Sequence, residues 1–428
     1  MEYPYLQYMY SYPHKMAYQA LHGIELKDYM GRLQGRQNSL YFHIPFCQSK
    51  CGYCNLFSLA GQPSSWMETY VDAMWQHARQ LSGILPEGVR FSDLALGGGT
   101  PLILPETLLR EVFAIARECF GIEAGCQDIT AETSPNQTTS QKLGLLKEEG
   151  VSRISIGVQS FQEDELRSLH RLHTAVSAKK ALDRICKTGF SCVNIDLIYG
   201  IPGQTERSLE DSLRQALEFE PEELFVYPLY VKPGTLLSEQ GARQSKDAFG
   251  MYCFARDFLR SAGYRQDSMR RFVRSGKELP ALTCGFGNTL SVGCGGRSYL
   301  GNLHFCTPYA VRQTQCRAIL QEYIGQEDYL QVAHGFVLSE EEERRRYIIR
   351  HILFGRGILL EDYRQNFGGQ AEEDFPQLEG WVTSGYARKE GGFLALTEEG
   401  LALSDFLGPQ LMSEDVKRRM EHKGHWEG

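Results

Sequence analysis

Short apolar runs alternate along this chain with longer stretches in which apolar residues recur at helical spacing. From residue 39 onward the runs fall at 39–44, 93–97, 128–133, 152–158, 193–198 and 224–230. Each has the length and character of a strand buried on both faces of a parallel sheet. Helical periodicity fills 64–82, 105–120, 138–149, 174–188 and 206–219 between them, with Ser64 and Pro105 as opening signals and Gly150 and Gly189 as stops. Six strand–helix units in series predict an α/β fold built on a parallel sheet, either barrel-like or doubly wound.

The pattern changes on both sides of this block. The first forty residues are rich in tyrosine, and Tyr10-Ser-Tyr-Pro13-His14 argues against a regular helix there. An extended arm lying on the body is expected. Beyond 235 come a helical stretch at 244–262 and glycine-rich segments within 264–310. Ser339-Glu-Glu-Glu342 then has the form of a capping box, followed by helices near 359–367 and 371–384. A hairpin around Gly391-Gly392 follows, with Thr397 capping a last helix. The expected division is an arm at 1–38, a barrel-like or doubly wound unit at 39–235, an extension of it at 236–334, and a helical, winged-helix-like domain at 335–428.

Polar and glycine-rich residues gather just after the strands: Cys47 to Cys54, Gly97 to Pro101, Glu132, Gln159, and Asp196 to Gly203. Loops at the carboxyl ends of parallel strands converge on one mouth, so all six units feed a single cavity.

Composition narrows the possibilities without naming a function. With 45 Lys and Arg against 53 Asp and Glu, the net charge of −8 offers no whole-chain attraction to nucleic acid or acidic membrane. No apolar run reaches the length of a membrane span, and the start lacks a secretory pattern, so the chain reads as cytoplasmic. Its 12 cysteines are then expected as reduced thiols and metal ligands rather than disulfides.

Three of them crowd one loop, Cys47-Gln-Ser-Lys-Cys51-Gly-Tyr-Cys54. Three thiolates from one tight loop can each hold one iron of a four-iron cluster and leave the fourth iron open to a ligand. Zinc held by three cysteines and nearby His43 is the competing arrangement. Cys253, Cys284, Cys294, Cys306 and Cys316 are too widely spaced for a second motif and are expected as core thiols.

The spacing Cys47-x-x-x-Cys51-x-x-Cys54 resembles the signature of the radical S-adenosylmethionine enzymes. With His43-Ile-Pro-Phe before it and Gly52-Tyr53 inside it, the stretch is similar to their coproporphyrinogen III oxidase and heme chaperone branch. Three further blocks resemble the same branch: Gly97-Gly-Gly-Thr100-Pro101, Arg153 to Phe161, and Asn194 to Thr205. The resemblance implies a partial (β/α)6 TIM-like barrel in which Cys47, Cys51 and Cys54 hold a [4Fe–4S] cluster that binds S-adenosylmethionine and cleaves it reductively to a 5′-deoxyadenosyl radical. It further implies that Tyr41, Gly98 and Glu132 contact this S-adenosylmethionine. Tyr53, Gly99, Thr100, Gln159, Arg171 and Asp196 line up with contacts to a second molecule, and Tyr230 and Ser298 with backbone positions near the nucleoside. A one-electron donor such as a flavodoxin or ferredoxin and a tetrapyrrole or related substrate are implied as partners, with the winged-helix-like domain a cover rather than a nucleic-acid binder.

Two departures bear on the reaction. Leu56 stands where the oxidases carry a further cysteine, and Thr283-Cys-Gly-Phe-Gly-Asn288 replaces the chaperones' heme motif. The resemblance therefore implies a radical enzyme, with a non-catalytic heme chaperone and a radical methyltransferase or other modifier as alternatives.

Overall fold

The computed structural model describes residues 5–9, 11–125, 127–277 and 287–421. Tyr10, Cys284 and most of the stretch Thr283–Asn288 lie outside the described residues. The chain forms two compact units: Gln19–Ser245 with Gly276–Gly335, and Met1–Tyr18 with Lys246–Ser275 and Phe336–Gly428.

The larger unit is built on strands β1 (Asn38–Ile44), β2 (Asp93–Gly98), β3 (Asp128–Thr133), β4 (Arg153–Gln159), β5 (Cys192–Tyr199), β6 (Glu223–Pro228), β7 (Asn288–Val292), β8 (Ser298–Leu300) and β9 (Leu303–Phe305). Their order is β9-β8-β7-β1-β2-β3-β4-β5-β6. All pairings from β7 to β6 are parallel, whereas β8 and β9 return as an antiparallel hairpin. The expected strands are present to within two residues, and β7 adds a parallel neighbour to β1 that the apolar pattern did not announce. The expected strand at 224–230 ends at Pro228, which leaves Tyr230 beyond it.

Helices α1 (Ser64–Gly83), α2 (Glu106–Phe120), α3 (Ser140–Glu148), α4 (Ala175–Thr188) and α5 (Glu206–Leu217) connect these strands. Side-chain caps come from Thr139, Thr174 and Thr205, each accepting from a first-turn N–H. Ser64 is already helical, with Pro63 in the cap position and no side-chain cap bond, so the expected cap is one residue out of place. Gly189 ends α4 at φ 74°, a left-handed conformation that glycine adopts without the Cβ penalty.

Strand alternation sorts the two faces. Leu40, Phe42 and Ile44 are fully buried, and the Phe42 ring meets Phe120 of α2 at 6.1 Å, which fixes this as the helix-facing side. The opposite face carries Tyr41 and His43 on β1, Glu132 on β3, Arg153, Ser155 and Gly157 on β4, Asn194 and Asp196 on β5, and Glu223 on β6. The strands are thus apolar toward the helices and polar inside, rather than apolar on both faces.

In the smaller unit, helix Glu340–Ile352 is capped by Ser339, which accepts from the Glu342 N–H. The reciprocal arm of the expected capping box is not made, because the Glu342 carboxylate accepts instead from Tyr12 Oη and from Ser413 Oγ at 2.5 Å. The helix expected at 371–384 is two helices, Ala371–Asp374 and Gln377–Thr383, divided at Pro376. Strands Ala387–Glu390 and Phe393–Leu396 pair around Gly391-Gly392, and Thr397 caps the helix that follows. A third strand, Ile358–Leu359, completes this winged-helix-like sheet.

Candidate functional site

The cysteine loop leaves β1 and is pinned by its own backbone. Thr100 N–H donates to Phe46 O and Gly99 N–H to Ile44 O, both at 2.8 Å, which ties the glycine turn after β2 to the segment leading into Cys47. Gly52 N–H donates to Leu169 O and Leu237 N–H to Gly52 O, at 2.9 and 2.8 Å, holding the loop's centre. Lys50 Nζ closes it by donating to Leu56 O at 3.3 Å and Val311 O at 2.5 Å.

Two glycines here answer to steric demand. Gly98 has φ 113°, and a Cβ on it would stand 2.7 Å from the His43 ring. A Cβ on Gly99 would be 2.4 Å from Phe46 O and 3.0 Å from Cys47 Sγ. No side chain larger than hydrogen fits between the turn and the cysteine loop.

His43 is the wedge between them, a role no sequence motif revealed. Its Nε2 lies 3.0 Å from the Phe57 carbonyl, which can only accept, so Nε2 carries the proton and Nδ1 accepts from Tyr41 Oη at 3.2 Å. With both ring nitrogens engaged, His43 is no zinc ligand here.

The three thiols are within electrostatic reach of one another. Burial, with Cys54 and Cys51 close by, pushes Cys47 up to about 12, and burial and Cys51 raise Cys54. Thr100 Oγ1 lies 3.8 Å from Cys47 Sγ. Three half-buried sulfurs, of which Cys47 and Cys54 resist ionising, suit a cationic cluster, because bound metal supplies the charge that makes thiolates favourable. Because both nitrogens of His43 are engaged, it does not complete a tetrahedral zinc site with the three thiols. A cluster that offers each thiolate its own iron fits this donor set better than zinc.

Around the loop stand the polar groups of the inner face. Glu132 has an exposed side chain although β3 is a central strand, so it faces open space inside the sheet's mouth. Although the side chain borders that open space, the protein packed around the mouth still desolvates its carboxyl and, with Asp196 next, raises it to about 7, with the Gly98 N–H and Arg153 acting the other way. Asp196 is raised to about 6 by burial, against which Asn194 Nδ2 donates at 2.7 Å. Below them Arg153 and the fully buried Glu223 form an ion pair at 2.6 Å. Tyr53 is raised well above its ordinary value, first by burial, with Arg171 acting the other way.

Gln159 sits on a bulge of β4 at φ 73°, which lays its amide over Gly157. Arg171 reaches across to the loop, donating from Nη1 to Cys51 Sγ at 3.0 Å and from Nη2 to Gly157 O at 2.5 Å. The structure thus brings Tyr41, Tyr53, Gly98, Gly99, Thr100, Glu132, Gln159, Arg171 and Asp196 around the cysteine loop. Tyr230 and Ser298 are not shown in this group. The Tyr230 ring lies 5.1 Å from Lys232 Nζ, and Ser298 Oγ accepts from Ser291 N–H on the β7–β8 hairpin.

Part of the Asn194–Thr205 block serves folding. Gln204 Oε1 accepts from Gly200 N–H at 2.7 Å, its amide donates to buried Glu165 at 3.0 Å, and Thr205 caps α5. Among the described residues no helix is long and apolar enough to cross a membrane.

A parallel α/β sheet whose first strand delivers three clustered cysteines beside a glycine turn defines a class of protein, and comparison agrees: residues 41–216 match the radical SAM superfamily model. That superfamily's cofactors are a [4Fe–4S] cluster and S-adenosylmethionine. Within it, the chain belongs to the family of the heme chaperones HemW and the oxygen-independent coproporphyrinogen III oxidases. It is 30% identical to heme chaperone HemW of Bacillus subtilis over 61% of this chain and 71% of that one. To oxygen-independent coproporphyrinogen III oxidase of Bradyrhizobium diazoefficiens it is 25% identical, over 85% of this chain and 84% of the relative. Its fold is that of the coproporphyrinogen III oxidase HemN of Escherichia coli, with a TM-score of 0.82 at 22% identity over 94% and 96% of the two chains.

Proposed function

We propose that this protein is a radical S-adenosylmethionine enzyme of the coproporphyrinogen oxidase-like branch, acting on a tetrapyrrole or related substrate with electrons from a flavodoxin- or ferredoxin-like donor. One observation carries the proposal. Cys47, Cys51 and Cys54 share a loop whose glycine turn, carboxylates and Arg171 all meet at the carboxyl ends of β1 to β5.

When bound, the cluster supplies the electron that splits S-adenosylmethionine into methionine and a 5′-deoxyadenosyl radical. The chain's own residues orient and shelter that chemistry. Gly98 and Gly99 let backbone approach the ligand without hindrance, as no side chain could at those contacts. Glu132, facing open space, accepts from an ammonium or hydroxyl group of S-adenosylmethionine, while Tyr41 is held in place by His43. Asp196, oriented by Asn194 and Ser155, and Gln159 on its bulge offer contacts for a second molecule.

The second reading, a heme-binding chaperone, is favoured by the names of relatives such as the Bacillus subtilis protein. The two part company in a single assay. After anaerobic reconstitution with iron and sulfide, an enzyme forms 5′-deoxyadenosine and alters coproporphyrinogen III or a relative, as read by mass spectrometry; a chaperone takes up heme stoichiometrically, with a Soret band and only background cleavage. Cys51→Ala should abolish cluster assembly and 5′-deoxyadenosine formation. Unchanged product from that variant would remove the cluster assignment.

A further inference from the structure

Arg171 is anchored more thoroughly than a ligand-binding side chain needs to be. Besides Cys51 Sγ and Gly157 O, its Nε donates to His173 Nδ1 at 3.3 Å. His173 is itself fixed, because its Nε2 lies 3.0 Å from the Val158 carbonyl and must donate to it. The imidazole is therefore neutral with Nδ1 as acceptor, and burial and the adjacent guanidinium hold it down to about 3. One planar cation is thus clamped between the β4 backbone, a buried histidine and the sulfur of the middle cysteine.

We propose that Arg171 is a positioning residue for the iron–sulfur cluster, donating a hydrogen bond to the Cys51 sulfur and thereby setting the potential at which the cluster accepts its electron. The proposal rests on the reading of Cys51 as an iron ligand and goes beyond ligand contact. Reduction adds one electron and no proton, and Arg171 stays protonated in both states. The added negative charge spreads onto the thiolate sulfurs, where a donor and a fixed positive charge stabilise the reduced form more than the oxidised one. Because Gly157, Val158 and His173 hold the guanidinium in advance, little rearrangement accompanies electron arrival.

The test compares wild type, Arg171→Gln and Arg171→Lys, each reconstituted anaerobically. Iron and sulfide per chain are measured first, and the cluster midpoint potential is then read by electron paramagnetic resonance titration without S-adenosylmethionine. Leaving S-adenosylmethionine out separates this role from a contact to that ligand. The Gln variant should load fully and show a more negative midpoint, with the Lys variant between it and wild type. A fully loaded Gln variant with an unchanged or more positive midpoint overturns the proposal while leaving the cysteine assignment intact. A wild-type chain that binds no cluster overturns both. Should the Gln variant fail to load, the Lys variant decides in the same way, because it keeps the charge but cannot span Cys51 and Gly157 together.

Discussion

Replacing Gly99 by alanine tests whether the glycine turn and the cysteine loop are one rigid assembly. The new methyl carbon would lie 2.4 Å from Phe46 O. A carbon–oxygen contact relaxes at about 3.3 Å, so one backbone must retreat by roughly 0.9 Å. Neither can do so freely, because Gly99 N–H and Thr100 N–H are bonded at 2.8 Å to Ile44 O and Phe46 O across the same gap. Overpacking against backbone costs about 1–3 kcal/mol, and weakening two such bonds about 0.5–1.5 kcal/mol each. The expected loss is on the order of 3 kcal/mol of stability, with Cys47 displaced from its partners. Gly144→Ala is the control: it lies within α3, a Cβ there meets nothing within 4 Å, and it should stabilise by about 0.5–1 kcal/mol. Urea unfolding of the apo chain gives the stability change, and iron content after reconstitution reports the loop. Gly99→Ala with wild-type stability and full iron would refute the reasoning.

Two further outcomes are expected. Asp196 has a folded-state pKa raised to about 6, so it favours the folded apo chain at low pH and loses that contribution as pH rises from about 4 to about 6. The effect is about 1–3 kcal/mol after allowance for cavity water, and Asp196→Asn should flatten the urea midpoint against pH in that window; an unchanged slope would count against it. Tyr12→Phe removes the buried donor to Glu342 and the acceptor of Ser413 N–H, and should cost about 1–3 kcal/mol by thermal unfolding, where an unmoved midpoint would show the network to be dispensable.

The parallel strands and their helices were legible because burial on the helix side imposes apolar runs that periodicity detects, as at Leu40, Phe42 and Ile44. The cysteine loop and glycine turn were legible because their chemistry is local in sequence. Pairings between distant residues left no trace: Arg171 to Cys51 spans 120 residues and Arg153 to Glu223 spans 70. Local signals also misled where a tertiary partner competed. Glu342 had the right spacing to return a hydrogen bond to the Ser339 backbone, but Tyr12 and Ser413 took its carboxylate. Glu132 and Asp196 were legible as polar residues at one mouth, but the strand register that brings their carboxyls within electrostatic reach of each other was not.

The contact between Tyr12 and Glu342 has a consequence for how the protein is made. The two residues are separated by 330 positions. A ribosome adding about 5–20 residues each second needs roughly 15–65 s to bridge that interval. Throughout it Tyr12 has none of its eventual partners from the Glu340–Ile352 helix or from Ser413. The larger unit's strands β1 to β6 emerge well before then, so its sheet can assemble while the arm waits. The smaller unit is therefore the last part of the chain to close, whatever its final stability.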